Sequence, residues 1–208
     1  MTMDFYCERV NDNFFNEPIN AISNIFFLII SVFTYRLQKE LKVKKIFYFL
    51  PILIFCIGLG SFFFHLKPNT ITLYLDVFPI FLFSVLFIIL FNKYELKISV
   101  LNNFLFIFSY ILLFVFITPM LSYEFLNGSE FYFVNYLVLA IYTIIFFFKK
   151  SQSFKLIFLA FLIFNISIIL RTIDNLVCDI FKIGTHFLWH IINAYLLFIL
   201  SKIFFKKI

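Results

Sequence analysis

Charge, alanine and glycine are all scarce in this chain. Charged residues make up 13% of its 208 positions, and it has four glycines, three histidines, three cysteines and one tryptophan. It also lacks a regular amphipathic period. Its apolar residues, 63% of the total, come in long blocks, and its mean hydropathy is +1.04. Helices that are apolar all round belong in lipid or in the core of something much larger, and a chain of this length cannot build such a core. A soluble globular domain is therefore excluded. A membrane barrel is excluded as well, because the segments are too long and do not alternate between apolar and polar residues. No repeat and no linker marks a second domain, so residues 1–208 read as one unit with an N-terminal outer segment over 1–18. That segment is polar and acidic and unlike a cleavable signal, so the first span is expected to direct its own insertion.

What remains is an all-α polytopic membrane protein. A spanning helix needs about 20 mostly apolar residues, and candidates lie near 19–36, 46–65, 71–91, 98–121, 131–148, 154–171 and 185–205. The net charge of +6 sits in short connections between these blocks. With no basic domain to follow a phosphate backbone, nucleic acid is not an expected partner, whereas anionic lipid headgroups are. Of the 17 basic residues, 13 fall on one side of a seven-span topology: Arg36, Lys39, Lys42, Lys44, Lys45, Lys93, Lys97, Lys149, Lys150, Lys155, Lys202, Lys206 and Lys207. The other side keeps Arg9, Lys67, Arg171 and Lys182, together with the acids Asp4, Glu8, Asp12, Glu17, Glu124 and Glu130. By the positive-inside rule the N-terminus lies outside and the C-terminus is cytoplasmic, in the cell membrane.

That topology sorts the unusual polar residues. His65 ends the second span, Asp76 lies in the first turns of the third, and His186 and His190 open the seventh. All three histidines and an intramembrane carboxylate therefore reach a similar depth on the outer side. His186 and His190 are four residues apart and differ by only about 40° around a helix, so both can hold one ion. Ser61 and His65 share the same offset. Three histidines plus a water make the open arrangement of a catalytic zinc site. Asp76 is then placed to accept a proton from the water, and Ser61 to bond the oxyanion or position the water. Three ligands are too few for a di-iron centre, and a bis-histidine haem would leave one idle. Gly58 and Gly60 are expected to permit close helix packing, and Cys56 reads as an inert apolar residue. Cys7 and Cys178 both fall on the outer side, where a disulfide can form and would tie the N-terminal segment to the loop before the last span.

Five stretches run in order along the chain: Tyr6-Cys7-Glu8-Arg9; Glu17 to Asn24; Gly58 to His65; Leu75-Asp76-Val77-Phe78-Pro79; and Ile173 through Cys178 to His186 and His190. In these blocks the sequence resembles the alkaline ceramidase family, in the form of its compact bacterial members, within a superfamily of seven-helix zinc hydrolases. The resemblance implies zinc on His65, His186 and His190, Ser61 and Asp76 beside the metal-bound water, and a Cys7–Cys178 disulfide. It implies hydrolysis of the amide of a ceramide or another N-acyl membrane lipid. It also implies calcium on acidic residues of the N-terminal segment, with Glu8 and Glu17 matching two ligands and Asp4 offset from a third. A competing expectation is a receptor-like or regulatory seven-helix protein whose zinc is structural. A transporter using Asp76 and histidine as a proton relay would call for repeated broken helices, which the sequence lacks.

Overall fold

The computed structural model describes residues 6–10, 14–121 and 127–205. Asp4, Asp12, Glu124, Lys206 and Lys207 lie outside them. Among the described residues there are long helices and short turns but no strand. Helix α1 (Pro18–Ser23) leads through Asn24 into α2 (Ile25–Glu40), and together they make the first stretch long and apolar enough to cross a membrane. Then come α3 (Phe49–Leu66), α4 (Thr70–Phe91), α5 (Val100–Ile117), α6 (Phe133–Phe148), α7 (Phe154–Thr172) and α8 (His186–Lys202). Six helical stretches are long and apolar enough to cross a membrane: Pro18–Glu40, Lys45–Leu66, Thr70–Leu96, Val100–Met120, Ser129–Phe148 and Phe154–Thr172. The last helix has 17 residues, about 26 Å at 1.5 Å per residue.

Local chemistry sets the boundaries. Pro18 opens α1, where a missing N–H costs nothing. Asn69 caps α4 by accepting from the N–H groups of Ile71 and Thr72, while Thr72 Oγ1 accepts from the Asn69 N–H, a reciprocal capping box. The first apolar stretch is interrupted at Asn24, whose side chain donates to the Asn20 carbonyl at 2.9 Å. The apolar run gives no hint of that break.

Large apolar side chains such as Phe104, Phe108, Phe116 and Phe148 are exposed around the outside, the pattern for a lipid-facing surface. The helices pack most closely where α3 meets α4, and α8 packs against both α7 and α2. Helix α5 is peripheral, with Tyr110 its only fully buried residue. Two glycines of α3 set the tightest approaches. A Cβ at Gly58 would lie 2.8 Å from the Cβ of Phe27, and one at Gly60 would overlap the backbone carbonyl of Leu75. Only a hydrogen side chain lets α4 come this near, which brings the residue after Leu75, Asp76, alongside α3. Cys56 faces outward as a free thiol.

Candidate metal centre

The end of α3 and the start of α8 bring the three histidines together. His65, His186 and His190 are fully buried, and one ligand atom from each lies within 4.8 Å of the others. Their ring centroids are 4.5 to 5.2 Å apart. The trio formed by helix offset and topology is thus assembled in space.

Hydrogen bonds around the rings of His65 and His190 decide which nitrogen these two offer. His65 Nδ1 donates to Glu17 Oε2 at 2.5 Å, which leaves Nε2 as the lone-pair nitrogen, buried and without a partner among the described residues. Ser23 Oγ lies 2.6 Å from His190 Nδ1 and donates its own hydrogen to the Asn20 carbonyl at 2.8 Å. The serine must therefore accept from His190 Nδ1–H, which leaves His190 Nε2 as the lone-pair nitrogen, with Ser61 Oγ 3.4 Å away. His186 Nδ1 is likewise buried without a partner among the described residues. Lone pairs converging in a dry interior are costly unless a cation fills the space between them. The donor set fits a divalent ion with a taste for imidazole, zinc foremost.

Glu17, expected among calcium ligands, sits at the mouth of α1 with both oxygens engaged. Oε1 accepts from Arg9 Nε at 2.5 Å, and Oε2 accepts from His65 and from Asn20 Nδ2. Burial alone would raise this carboxyl, yet the bonds to His65 and Arg9 hold it below the usual carboxylate range, so it stays ionised. Glu8 accepts from the backbone N–H groups of Ile19 and Asn20 at 2.7 and 2.8 Å. Its partial burial raises its pKa, against those bonds. Asp4 lies outside the described residues. Both described acids of the set, Glu8 and Glu17, are thus held by donors of the protein.

Ser61 and Asp76 stand beside the histidines. Ser61 Oγ is 3.4 Å from His190 Nε2 and lies near enough to the Asp76 carboxylate to act on it. Asp76 Oδ1 is buried and without a partner among the described residues. Near it lies a cation that the charge count had assigned only to a side of the membrane. The Arg171 guanidinium sits over the rings of Trp189, Tyr6 and Tyr132 at 5.1 to 5.5 Å, close enough to act electrostatically on Asp76.

The N-terminal segment covers the histidines. Tyr6 stacks on His186 with centroids 3.7 Å apart, and Trp189 stacks on the same imidazole at 5.1 Å. Burial raises the Tyr6 phenol far above its usual range, so the ring stays neutral. Cys7 and Cys178 form a disulfide with Cα atoms 5.3 Å apart. Asp174 ties the same segment to α8: Oδ2 accepts from the Cys7 N–H, and Oδ1 accepts from the N–H groups of Thr185 and His186. A carboxylate there caps a helix that has no local side-chain cap and satisfies its dipole. Gly184, at φ +69°, lets the chain pass against Asp174 and Cys7. Asp174 belonged to a family-like stretch, but its role is visible only in three dimensions.

Inward from the histidines lies an apolar cavity of about 700 Å³, counting its open mouth. Tyr132 and Trp189 line one end, and Phe87 and Leu200 line it further along. From Trp189 to Leu200 is about 16 Å along α8, room for an aliphatic chain with its first atoms near the metal centre.

No curated protein shows significant similarity to the chain. The sequence model of the family described as Ceramidase, however, matches residues 2–205, which includes every residue of this centre. With that match across nearly its whole length, the chain belongs to the ceramidase family.

Proposed function

We propose that the protein is a zinc-dependent, intramembrane lipid amide hydrolase that cleaves an N-acyl lipid, a ceramide or a relative of one, to a free fatty acid and an amine. Family membership supports hydrolysis of a lipid amide, and the three-histidine cluster supports a metal. The observation that carries the reading is the unpartnered oxygen of Asp76, held with Ser61 beside the imidazoles. A purely structural metal needs neither residue.

Zinc on His65, His186 and His190 would supply a water of lowered pKa and polarise the amide carbonyl. Asp76 Oδ1 accepts the proton of the attacking water and returns it to the leaving nitrogen, so the amine departs neutral as the C–N bond breaks. Ser61 lies beside that carboxylate and is within reach of the oxyanion. Arg171 adds a fixed positive charge where negative charge develops. Glu17 and Ser23 keep two of the imidazoles in the ligating tautomer, and the apolar cavity takes the hydrocarbon chain. The charge asymmetry supports a seven-span arrangement with N-terminus outside, C-terminus cytoplasmic and the site toward the non-cytoplasmic face of the cell membrane. The last helix is the seventh span.

The full chain in lipid nanodiscs, given ceramide and a panel of other N-acyl lipids, is expected to release fatty acid and amine in equal amounts. Chelation should stop the release and added zinc restore it. A preparation holding one zinc per chain that releases fatty acid from none of them would point instead to a structural zinc in a receptor-like protein.

A further inference from the structure

The cavity wall is mostly apolar; apart from its tyrosines, of which Tyr142 donates to Asn92 Oδ1, and Ser84, whose hydroxyl donates to the Ile80 carbonyl at 3.0 Å, two side-chain amides supply its polar groups. Asn193 of α8 and Asn135 of α6 both line it. Asn193 Nδ2 donates to the Trp189 carbonyl at 2.9 Å and to Ser167 Oγ at 2.6 Å. A carbonyl only accepts, so this bond fixes the amide's orientation, and both N–H groups are spent. Oδ1 is left as an acceptor with no partner among the described residues, on a side chain only 8% exposed. Asn135 is the complement. Its Oδ1 accepts from the Tyr110 hydroxyl at 2.9 Å, and its N–H groups have no partner among the described residues.

The two amides lie at matching depth. Tyr132 and Trp189 touch at the upper end of the cavity, with ring centroids 5.5 Å apart. Asn135 follows Tyr132 by three residues and Asn193 follows Trp189 by four, roughly one turn deeper on each helix. Asn193 is also three residues past the metal-facing His190, about 4.5 Å along the axis. One spare acceptor and one spare donor thus face the cavity just inside the reacting centre. A hydroxyl is donor and acceptor in one group and satisfies both. A plain methylene chain would leave both amides buried and unpaired, a cost that sites of this kind turn into discrimination.

We infer that Asn135 and Asn193 form a hydroxyl-reading belt, and that the chain drawn into the cavity carries a hydroxyl within a few carbons of the scissile amide. This inference rests on the amide-hydrolase reading. The hydroxyl can come from either side of the bond: from an acyl chain hydroxylated near its carbonyl, or from a long-chain amino alcohol.

Three amides of matched length separate these sources: a plain N-acyl alkylamine, its 3-hydroxyacyl counterpart, and the plain acyl amide of a long-chain amino alcohol. The full-length, metal-loaded protein is expected to favour one hydroxylated amide over the plain one by about 10- to 100-fold in kcat/KM. The arm that shows the preference names the chain that enters the cavity. In Asn135→Leu the ratio should collapse to within about threefold. The corresponding free hydroxylated product should also raise the wild-type Tm more than its plain analogue does, a readout that needs no turnover. Equal kcat/KM for all three amides in the wild type, or a preference that survives in Asn135→Leu, overturns the belt. Hydrolysis of none of the three overturns the hydrolase reading instead, and the belt then stands or falls on whether the Tm shift separates hydroxylated from plain chains.

Discussion

Asp76→Asn is expected to keep the metal and the fold while fatty-acid release falls by about 10²- to 10⁴-fold, the usual contribution of a positioned proton acceptor. The substitution is nearly isosteric, and an amide oxygen can still accept from Ser61. What it loses is the lone pair that takes the proton and the acid that returns it. A charge beside Arg171 is lost too, so a structural role for Asp76 has its own signature: a lowered Tm with the rate per folded molecule unchanged. Metal content, Tm and kcat measured on the same preparation separate the two. A full rate in a metal-loaded Asp76→Asn protein would remove Asp76 from the chemistry.

Gly60→Ala is the second large effect, and it reaches the same residue by a different route. The new methyl group would overlap the Leu75 carbonyl, which is rigid backbone and cannot swing aside as a side chain can. Helix α4 must move away from α3. Overpacking of this sort commonly costs about 1–3 kcal/mol and more where backbone is the obstacle. The larger consequence is functional, because a displacement of about 1 Å at a reacting group can cost about 10²-fold in rate. The expected result is a lowered Tm together with a kcat loss of that order, the metal being retained because no ligand sits on α4. An active, wild-type-stable Gly60→Ala protein would show that the α3–α4 contact does not set the site. A parallel Gly58→Ala protein meets the Phe27 side chain instead and should lose less activity.

Much of this was legible in the sequence, for physical reasons that differ from part to part. Helices in lipid must satisfy their own backbone groups, so apolar run length alone located the long helices to within a few residues. The histidine trio was legible because charge asymmetry sets helix direction and a four-residue offset sets helix face. These two rules bring His65, His186 and His190 to one level without any knowledge of packing. The partners that orient those rings follow no such rule. Glu17 bonds a histidine 48 residues away and Ser23 one 167 residues away, so neither role has a local signature. A hint did exist: Asn20, Ser23 and Asn24 are polar residues on a helix otherwise suited to lipid, and such residues face something that needs them. The surroundings of Arg171 were hidden for a related reason. Charge counting records which side of the membrane a cation occupies, not the aromatic rings that enclose it.

The central claim is that three histidines from two helices hold one catalytic metal, and zinc stoichiometry tests it most directly. Wild-type protein and His186→Ala, purified identically and analysed for metal alongside fatty-acid release, should give one zinc per chain with activity for the first. The second should give almost no zinc and no activity. Zinc that remains near one per chain after His186 is removed would contradict the ligand assignment and the account built on it.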